Sequence, residues 1–167
     1  ALREKKVSEV MRARGNTGFI RNTASGAEVA ALIREHSQAY LPVVSGNELD
    51  TAEAIISSLA FFSLPASERD AWRTSACILK PTLYIPEKSS LSKALKTVRD
   101  ASAGAALVTD EYGGIKGILT VEDIYSELAG WSVELDDQLD WQALKISDRT
   151  WLFDGMCSPD FVKATCP

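Results

Sequence analysis

Apolar residues follow two different spacings in the first half of the chain, and the change between them separates the predicted elements. A short apolar stretch at residues 18–20 precedes residues 27–35, where apolar side chains recur at three- and four-residue steps and predict an amphipathic helix. Residues 40–44 and 52–56 are continuous apolar runs on either side of a turn-rich segment, which is typical of strands. The apolar residues 57–64 predict a second helix.

The second half of the chain returns to the same order, about 65 residues later. Residues 81–86 predict a strand and residues 90–100 a helix. Two further strands are predicted at residues 105–110 and 115–119, followed by a helix over residues 120–130.

Two glycine signals refine this second copy. Gly113 and Gly114 can adopt the positive φ angles of a tight turn, so the two strands that flank them are predicted to pair antiparallel. Gly130 is expected to cap the last helix at its C-terminus.

Each copy therefore has the order strand, helix, strand, strand, helix. A three-stranded sheet cannot bury both of its faces alone, so the two copies are predicted to pack as one pseudo-two-fold α/β (α+β) module. The predicted divisions are a linker and leading helix at 1–15, repeats at 16–64 and 81–130, a connector at 65–80, and a C-terminal segment at 131–167.

The segments outside the repeats are more polar. Residues 65–76 are predicted to form a partly helical connector, and the acidic run from Glu134 to Asp140 is interpreted as a solvated linker rather than a magnesium site. Residues 141–155 alternate apolar and polar side chains, which predicts the first strands of another small domain that is truncated here.

Charge and composition exclude several classes of protein. The 167 residues carry a formal net charge of -5, so the chain is not expected to bind nucleic acid broadly. Its three cysteines lack the spacing of a disulfide framework or zinc site, which favours a reducing, cytosolic setting. No stretch approaches the roughly 20 apolar residues of a membrane span. His36 is the one histidine, expected at a helix end, and no set of acid, base and nucleophile is evident, so the chain is not expected to be an enzyme.

The segment GILTVEDI, residues 117–124, is the clearest chemical signal. A strand leads directly into a helix there, with Thr120 at the N-cap and Asp123 three residues on. The free amides of a helix start can bind phosphate, the threonine hydroxyl can bond a phosphate oxygen, and the carboxylate can accept from ribose hydroxyls. The same two residues also form a capping box, so a ligand site and a helix cap both remain open.

At these residues the sequence resembles a pair of CBS domains, and more narrowly the CorC/hemolysin-like family of magnesium and cobalt transport proteins. The matching stretches are VSEVMRAR, LPVVSGNELD, KPTLYIPEKSSL and VTDEYGGIKGILTVEDIYSELAG, which together extend over about residues 7–130. WLFDGMCSPDFV resembles the start of the small domain that follows the pair in this family.

The resemblance implies a regulatory module on the cytosolic side of a membrane protein, binding an adenine nucleotide such as AMP or ATP, with or without Mg²⁺, between tandem CBS repeats. It also implies a homodimer and the protein's own membrane domain as partners. By position, Thr120 would meet phosphate or ribose and Asp123 the ribose hydroxyls. The residues expected around the adenine are either Tyr84 with Ile85 or Phe19 with Ile20.

The chain departs from the family pattern at two positions. In the first repeat Ser57 has the hydroxyl, but Ala60 stands where the ribose-binding acid is expected, so that half-site is predicted to be inactive. Tyr40 stands where many relatives have a phosphate-binding arginine, which predicts weak or absent binding of ATP and a smaller penalty for AMP unless Arg21, Arg34 or another basic side chain substitutes. The alternative is therefore a dimerisation scaffold that has lost nucleotide binding.

Overall fold

The structure is a computed structural model, which describes residues 5–79, 82–135, 143–147 and 150–153. The chain divides into two compact units, Ala1–Tyr125 and Ser126–Pro167, each of which is described by itself. The α-helices are α1 (Gly26–His36), α2 (Ser58–Ser63), α3 (Leu91–Asp100) and α4 (Val121–Leu135). The strands are β1 (Arg12–Ala13), β2 (Ile20–Arg21), β3 (Tyr40–Val44), β4 (Ala52–Ser57), β5 (Ile78–Leu79), β6 (Tyr84–Pro86), β7 (Ala105–Thr109), β8 (Ile115–Thr120), β9 (Ala143–Ser147) and β10 (Thr150–Phe153). Short 3-10 helices cover Val7–Glu9, Arg14–Asn16, Leu49–Thr51 and Ala66–Thr74.

The first unit contains two sheets of four strands, in the orders β2-β3-β4-β5 and β1-β8-β7-β6. The predicted order of strand, helix, strand, strand, helix is confirmed in both copies. In each copy the first strand pairs parallel with the second, and the second pairs antiparallel with the third. Gly113 has a φ of 83° in the turn between β7 and β8, so the predicted hairpin is confirmed.

Each sheet is completed by a strand from outside its own repeat. Strand β1 precedes the first repeat in the chain but pairs with β8 of the second, whereas β5 follows the first repeat and pairs with β4. The leading helix predicted within residues 1–15 is not an α-helix in the described residues 5–15, where the 3-10 helices Val7–Glu9 and Arg14–Asn16 flank strand β1. The exposed edge of β8 provides backbone partners for residues 12–13, and this long-range pairing overrides the local pattern.

A buried cluster fills the first repeat and includes a residue from the connector. The indole of Trp72 is fully buried in this cluster, and its Nε1–H donates to the Ala24 carbonyl oxygen at 3.0 Å. The sequence predicted a polar, partly helical connector, and the helical part is confirmed as the 3-10 helix Ala66–Thr74. That 3-10 helix also closes the core of the first repeat.

A second cluster joins the two repeats. It combines Leu49 and Ile55 of the first repeat with Leu107, Ile115 and Ile118 of the second. The two sheets therefore share buried apolar surface within the first unit, as predicted for two repeats that each bury their sheet poorly alone.

Asp50 connects the repeats by polar contacts. Its Oδ1 accepts the Ile115 N–H at 2.8 Å, and its Oδ2 lies 2.7 Å from the Arg14 guanidinium, which also donates to the Ile115 carbonyl oxygen at 3.0 Å. The hydrogen bond from the Ile115 amide, and then the one from Arg14, lower the pKa of the Asp50 carboxyl.

This contact predicts an acid-sensitive contribution to stability. A lowered pKa in the folded state stabilises the fold above the unfolded pKa of about 3.9, and the contribution is lost as pH falls through the folded value. We expect Asp50→Asn to lower the thermal unfolding midpoint near neutral pH and to differ less from the unaltered chain below about pH 4. Thermal denaturation at a series of pH values tests this, and a difference that does not change with pH would contradict it.

Helix α4 is longer than the sequence predicted. It continues through Gly130 to Leu135, so the predicted C-terminal cap at Gly130 is wrong. A helix tolerates an internal glycine at a cost of about 1 kcal/mol relative to alanine, and the residues after Gly130 are compatible with helix. Glu134 of the acidic run therefore lies in α4, whereas Asp136, Asp137 and Asp140 lie outside the described residues.

The second unit contains strands β9 and β10, which pair antiparallel. This confirms the strands predicted from the alternating pattern of residues 141–155 within the described residues. None of the described helices combines the length and apolar character needed to cross a bilayer.

Candidate functional site

Thr120 and Asp123 form a reciprocal pair at the junction of β8 and α4. The Asp123 N–H donates to Thr120 Oγ1 at 3.1 Å, and the Thr120 N–H donates to Asp123 Oδ2 at 3.0 Å. The capping box expected from the sequence is therefore present. Asp123 uses only Oδ2 in this cap, and its Oδ1 makes no hydrogen bond within the described part of the chain.

Asp123 lies on a cleft of about 600 Å³ beside strand β1. The other residues lining the cleft are Val10, Met11, Arg12, Ala13 and Asn16. All of these residues except Asp123 thus come from one short segment around strand β1. The cleft combines apolar side chains, an amide, a guanidinium and a carboxylate, which is a suitable set for a ligand with an apolar ring and polar groups.

Two contacts fix the backbone of this segment. A Cβ at position 117 would overlap the Arg12 carbonyl oxygen, so glycine lets β1 approach β8 closely. Thr17 Oγ1 lies 3.2 Å from the Arg12 carbonyl oxygen and 2.9 Å from that of Ala13, and donates its proton to this pair of acceptors. The glycine of the GILT motif therefore has a structural role in shaping the cleft.

Tyr40 extends from the start of β3 to the second repeat. Its ring packs against Gly104, where a Cβ would overlap the phenol, and it borders the cluster shared by the two sheets. Burial, and then the Glu122 carboxylate, raise the pKa of the Tyr40 hydroxyl. Tyr40 thus occupies the space near the first turn of α4, close to Thr120 in the fold.

Comparison with known proteins identifies the architecture. The CBS domain family model matches residues 76–130. The magnesium and cobalt efflux protein CorC of Escherichia coli strain K12 is 26% identical over 165 residues, covering 98% of this chain and 56% of CorC. Hemolysin C of Brachyspira hyodysenteriae is 28% identical over 154 residues, covering 92% of this chain and 56% of the hemolysin.

A solved structure gives the decisive match. The CBS domain of a bacterial CNNM/CorC family Mg²⁺ transporter, in complex with ATP, is 30% identical, covers 77% of this chain and 90% of that one, and superposes with a TM-score of 0.67. The chain belongs to the CBS domains of the CNNM/CorC family. It spans about half the length of the curated relatives it matches.

The CBS fold places the other predicted adenine-contacting residues away from the Asp123 cleft. Ile20 and Ile85 are buried in the cores of their own repeats, at 0% and 2% exposure. Tyr84 is 49% exposed on β6. Phe19 lines a different cleft, of about 520 Å³, in the first repeat. The residues that line the cleft at Asp123 include none of these four.

The corresponding position in the first CBS repeat has a simpler cap. Ser57 Oγ accepts the Ala60 N–H at 3.3 Å at the start of α2. Ala60 has no side chain that could return a hydrogen bond, so this cap is one-sided. The structure thus contains one complete Thr/Asp pair and one partial equivalent within the described residues.

The sequence indicated Thr120 and Asp123 as a candidate pair, but not the segment that lines the cleft together with Asp123. The stretch VSEVMRAR carried the family resemblance, yet no local signal assigned it to the site. Its role depends on the pairing of β1 with β8, in which Arg12 is opposite Ile118. A pairing across most of the chain has no signature in local periodicity.

The structure gives no catalytic constellation in its described part. His36 is the last residue of α1, as expected, and a Cβ at Gly18 would overlap its ring. Among the described residues, no group of three His, Cys, Asp or Glu side chains could hold a metal ion. The solved structures that the chain resembles at 30% identity are CBS domains of a CNNM/CorC family Mg²⁺ transporter.

Proposed function

We propose that this CBS pair, with repeats at 16–64 and 81–130, is a cytosolic regulatory module of a CorC-type membrane transport protein. It binds one adenine nucleotide per chain in the cleft at Asp123. The observation that carries the proposal is the cleft itself, because it lies against an aspartate that keeps one carboxylate oxygen outside its cap. The ATP complex of a 30% identical CBS domain supports the same ligand class.

The chemistry of the pair suits a nucleotide. Asp123 Oδ1 can accept from ribose hydroxyls while Oδ2 stays in the cap. The Thr120 hydroxyl accepts from the Asp123 amide and can donate its own proton to a phosphate oxygen. The cap and the ligand site therefore use different atoms and do not exclude each other. The base packs on Val10 and Met11 in this proposal, since Ile20 and Ile85 are buried.

The stoichiometry follows from the first repeat. Ala60 offers no acceptor for ribose hydroxyls beside Ser57, so the half-site of the first repeat lacks the contact that Asp123 provides in the second repeat. We therefore propose one nucleotide per chain.

Tyr40 bears on which nucleotide is bound. Its phenol lies near Glu122 at the start of α4, where a chain of phosphates would extend. A tyrosine has no positive charge to offset those phosphates, and Glu122 adds a negative one. AMP is thus the favoured ligand, with ATP bound weakly even when Mg²⁺ neutralises part of its charge.

The proposed partners are a second copy of the chain and the protein's own membrane domain. Leu59 on α2 is 80% exposed, and covering apolar helix surface of this kind would favour a dimer. The alternative function is a dimerisation scaffold without a ligand, which the residues Tyr40 and Ala60 favour, whereas the intact Thr120–Asp123 pair favours the nucleotide-binding module. Light scattering at increasing concentration tests the dimer, and a strict monomer would contradict it.

Calorimetric titration tests the nucleotide. The 167-residue chain is titrated with AMP, ADP and ATP, each with and without Mg²⁺. We expect saturable binding at one site, tightest for AMP, with Asp123→Ala abolishing it and Thr120→Ala weakening it. Both variants should remain folded, because a lost cap costs about 0.5–2 kcal/mol.

The matched control is Ser25→Ala. Ser25 and Glu28 form the same reciprocal box at the start of α1, where the Ser25 N–H donates to Glu28 at 2.7 Å and the Glu28 N–H donates to Ser25 at 3.3 Å. Ser25→Ala removes a cap but no residue of the Asp123 cleft, so binding should be unchanged. No heat with any nucleotide from the folded, unaltered chain would support the scaffold instead.

A further inference from the structure

Arg12 supplies the positive charge of the Asp123 cleft. It is the one basic residue among the described residues that line this cleft. The acidic side chains of Glu122 and Asp123 lie in the first turn of α4. An anionic ligand there therefore needs a cation, and Arg12 is the side chain that can provide it.

The strand register determines which face Arg12 occupies. In the antiparallel pair, Arg12 is directly opposite Ile118, so the two side chains share one face of the sheet. Thr120 is two residues beyond Ile118 and lies on that face as well. Ile118 packs in the cluster shared by both repeats, so the face with Arg12 is turned toward the first repeat.

Neighbouring contacts hold the strand and leave the Arg12 side chain available. Arg14 is engaged by Asp50 and by the Ile115 carbonyl oxygen. Thr17 bonds the backbone of Arg12. The Arg12 side chain is exposed, and no carboxylate pairs with its guanidinium within the part of the chain that the structure describes.

Other arginines are occupied or lie elsewhere. The guanidinium of Arg34 lies over the Phe62 ring, 5.2 Å from its centroid. Arg21 lines the other cleft of the first repeat together with Glu28. The two arginines that the sequence suggested as substitutes for a phosphate-binding residue are thus not at Asp123.

We propose that Arg12 recognises the anionic group of the ligand, so that the cleft selects a phosphorylated nucleoside over the nucleoside. The inference rests on the proposed function and adds the residue that sets this preference. A guanidinium can donate two parallel hydrogen bonds to a phosphate, and such charge-assisted bonds are stronger than neutral ones. Adenosine offers no such partner.

The test compares AMP with adenosine. Calorimetry is carried out on the unaltered chain, Arg12→Gln, Arg12→Lys and the control Arg21→Ala, with folding checked by circular dichroism. We expect Arg12→Gln to weaken AMP binding by about tenfold or more, because hydrogen bonds to charged groups are strong. The affinity for adenosine should stay within about twofold of that of the unaltered chain. Arg12→Lys should recover part of the AMP affinity, and Arg21→Ala should change neither ligand. Added salt should reduce the preference for AMP.

Each other outcome has a definite meaning. Equal weakening of AMP and adenosine by Arg12→Gln would overturn the inference, because Arg12 would then contact the base or sugar. Unchanged AMP binding would overturn it as well, while leaving the proposed function intact. If the unaltered chain binds neither ligand, the proposed function itself fails and the inference fails with it.

Discussion

Replacing Trp72 with alanine is expected to lower the free energy of unfolding by about 3–5 kcal/mol, the range for deleting a large buried aromatic side chain. Trp72 is fully buried and belongs to the core cluster of the first repeat. The substitution removes its packing and leaves the Ala24 carbonyl oxygen without the indole Nε1–H at 3.0 Å. Urea denaturation followed by circular dichroism measures the change.

Two controls separate packing from hydrogen bonding. Trp72→Phe keeps most of the ring volume and loses the Nε1–H, so it should cost clearly less than Trp72→Ala. Tyr112→Ala changes a side chain that is 92% exposed and should fall within about 0.5 kcal/mol of the unaltered chain. A cost for Trp72→Ala as small as that of Tyr112→Ala would mean that the connector does not close the core.

The second large effect is expected from Gly117→Ala. A Cβ at this position would overlap the Arg12 carbonyl oxygen, which is backbone and cannot rotate away. We expect β1 to shift from β8, with a loss of about 1–3 kcal/mol of stability, as for other overpacked sites. The shift also moves the wall of the Asp123 cleft, so AMP should bind more weakly to the variant even at temperatures where the variant is fully folded.

Gly15→Ala is the matched control. It lies in the same N-terminal segment, and a Cβ there would meet nothing within 4 Å. Its stability and AMP affinity should both stay close to those of the unaltered chain. If Gly117→Ala behaves like Gly15→Ala, the close approach of β1 to β8 is not what shapes the cleft.

The repeated architecture could be predicted because its signals are local. Helix α1 has apolar residues at helical spacing, and the β7–β8 hairpin has a glycine at the turn position that needs positive φ. The burial of Trp72 could not be predicted in the same way. Its neighbours from Ala66 to Thr74 are mostly polar, and a single aromatic residue carries no periodicity that says which core it joins.

The candidate site could likewise be predicted only where its signals are local in the sequence. Thr120 and Asp123 are three residues apart, so their spacing and the strand-to-helix junction identified them directly. Tyr84, Ile85, Phe19 and Ile20 were predicted around the base because they lie on the first strands of the repeats. They do not line the cleft at Asp123, which is lined by the segment around β1 through a tertiary pairing, and their contact with a base stays a prediction.

Each sheet has an outer strand from outside its own repeat, and this affects the order in which the chain can fold. During synthesis β5 emerges soon after β4, so the first sheet can close early. Strand β1 must wait, because Arg14 beside it bonds a carbonyl 101 residues further along the chain. Residues 76–130, which match the family model, contain β8 but lack β1, so a fragment with these limits would present an open strand edge to other molecules. The repeat that the family model matches is thus shorter than the segment of chain needed to complete its sheet.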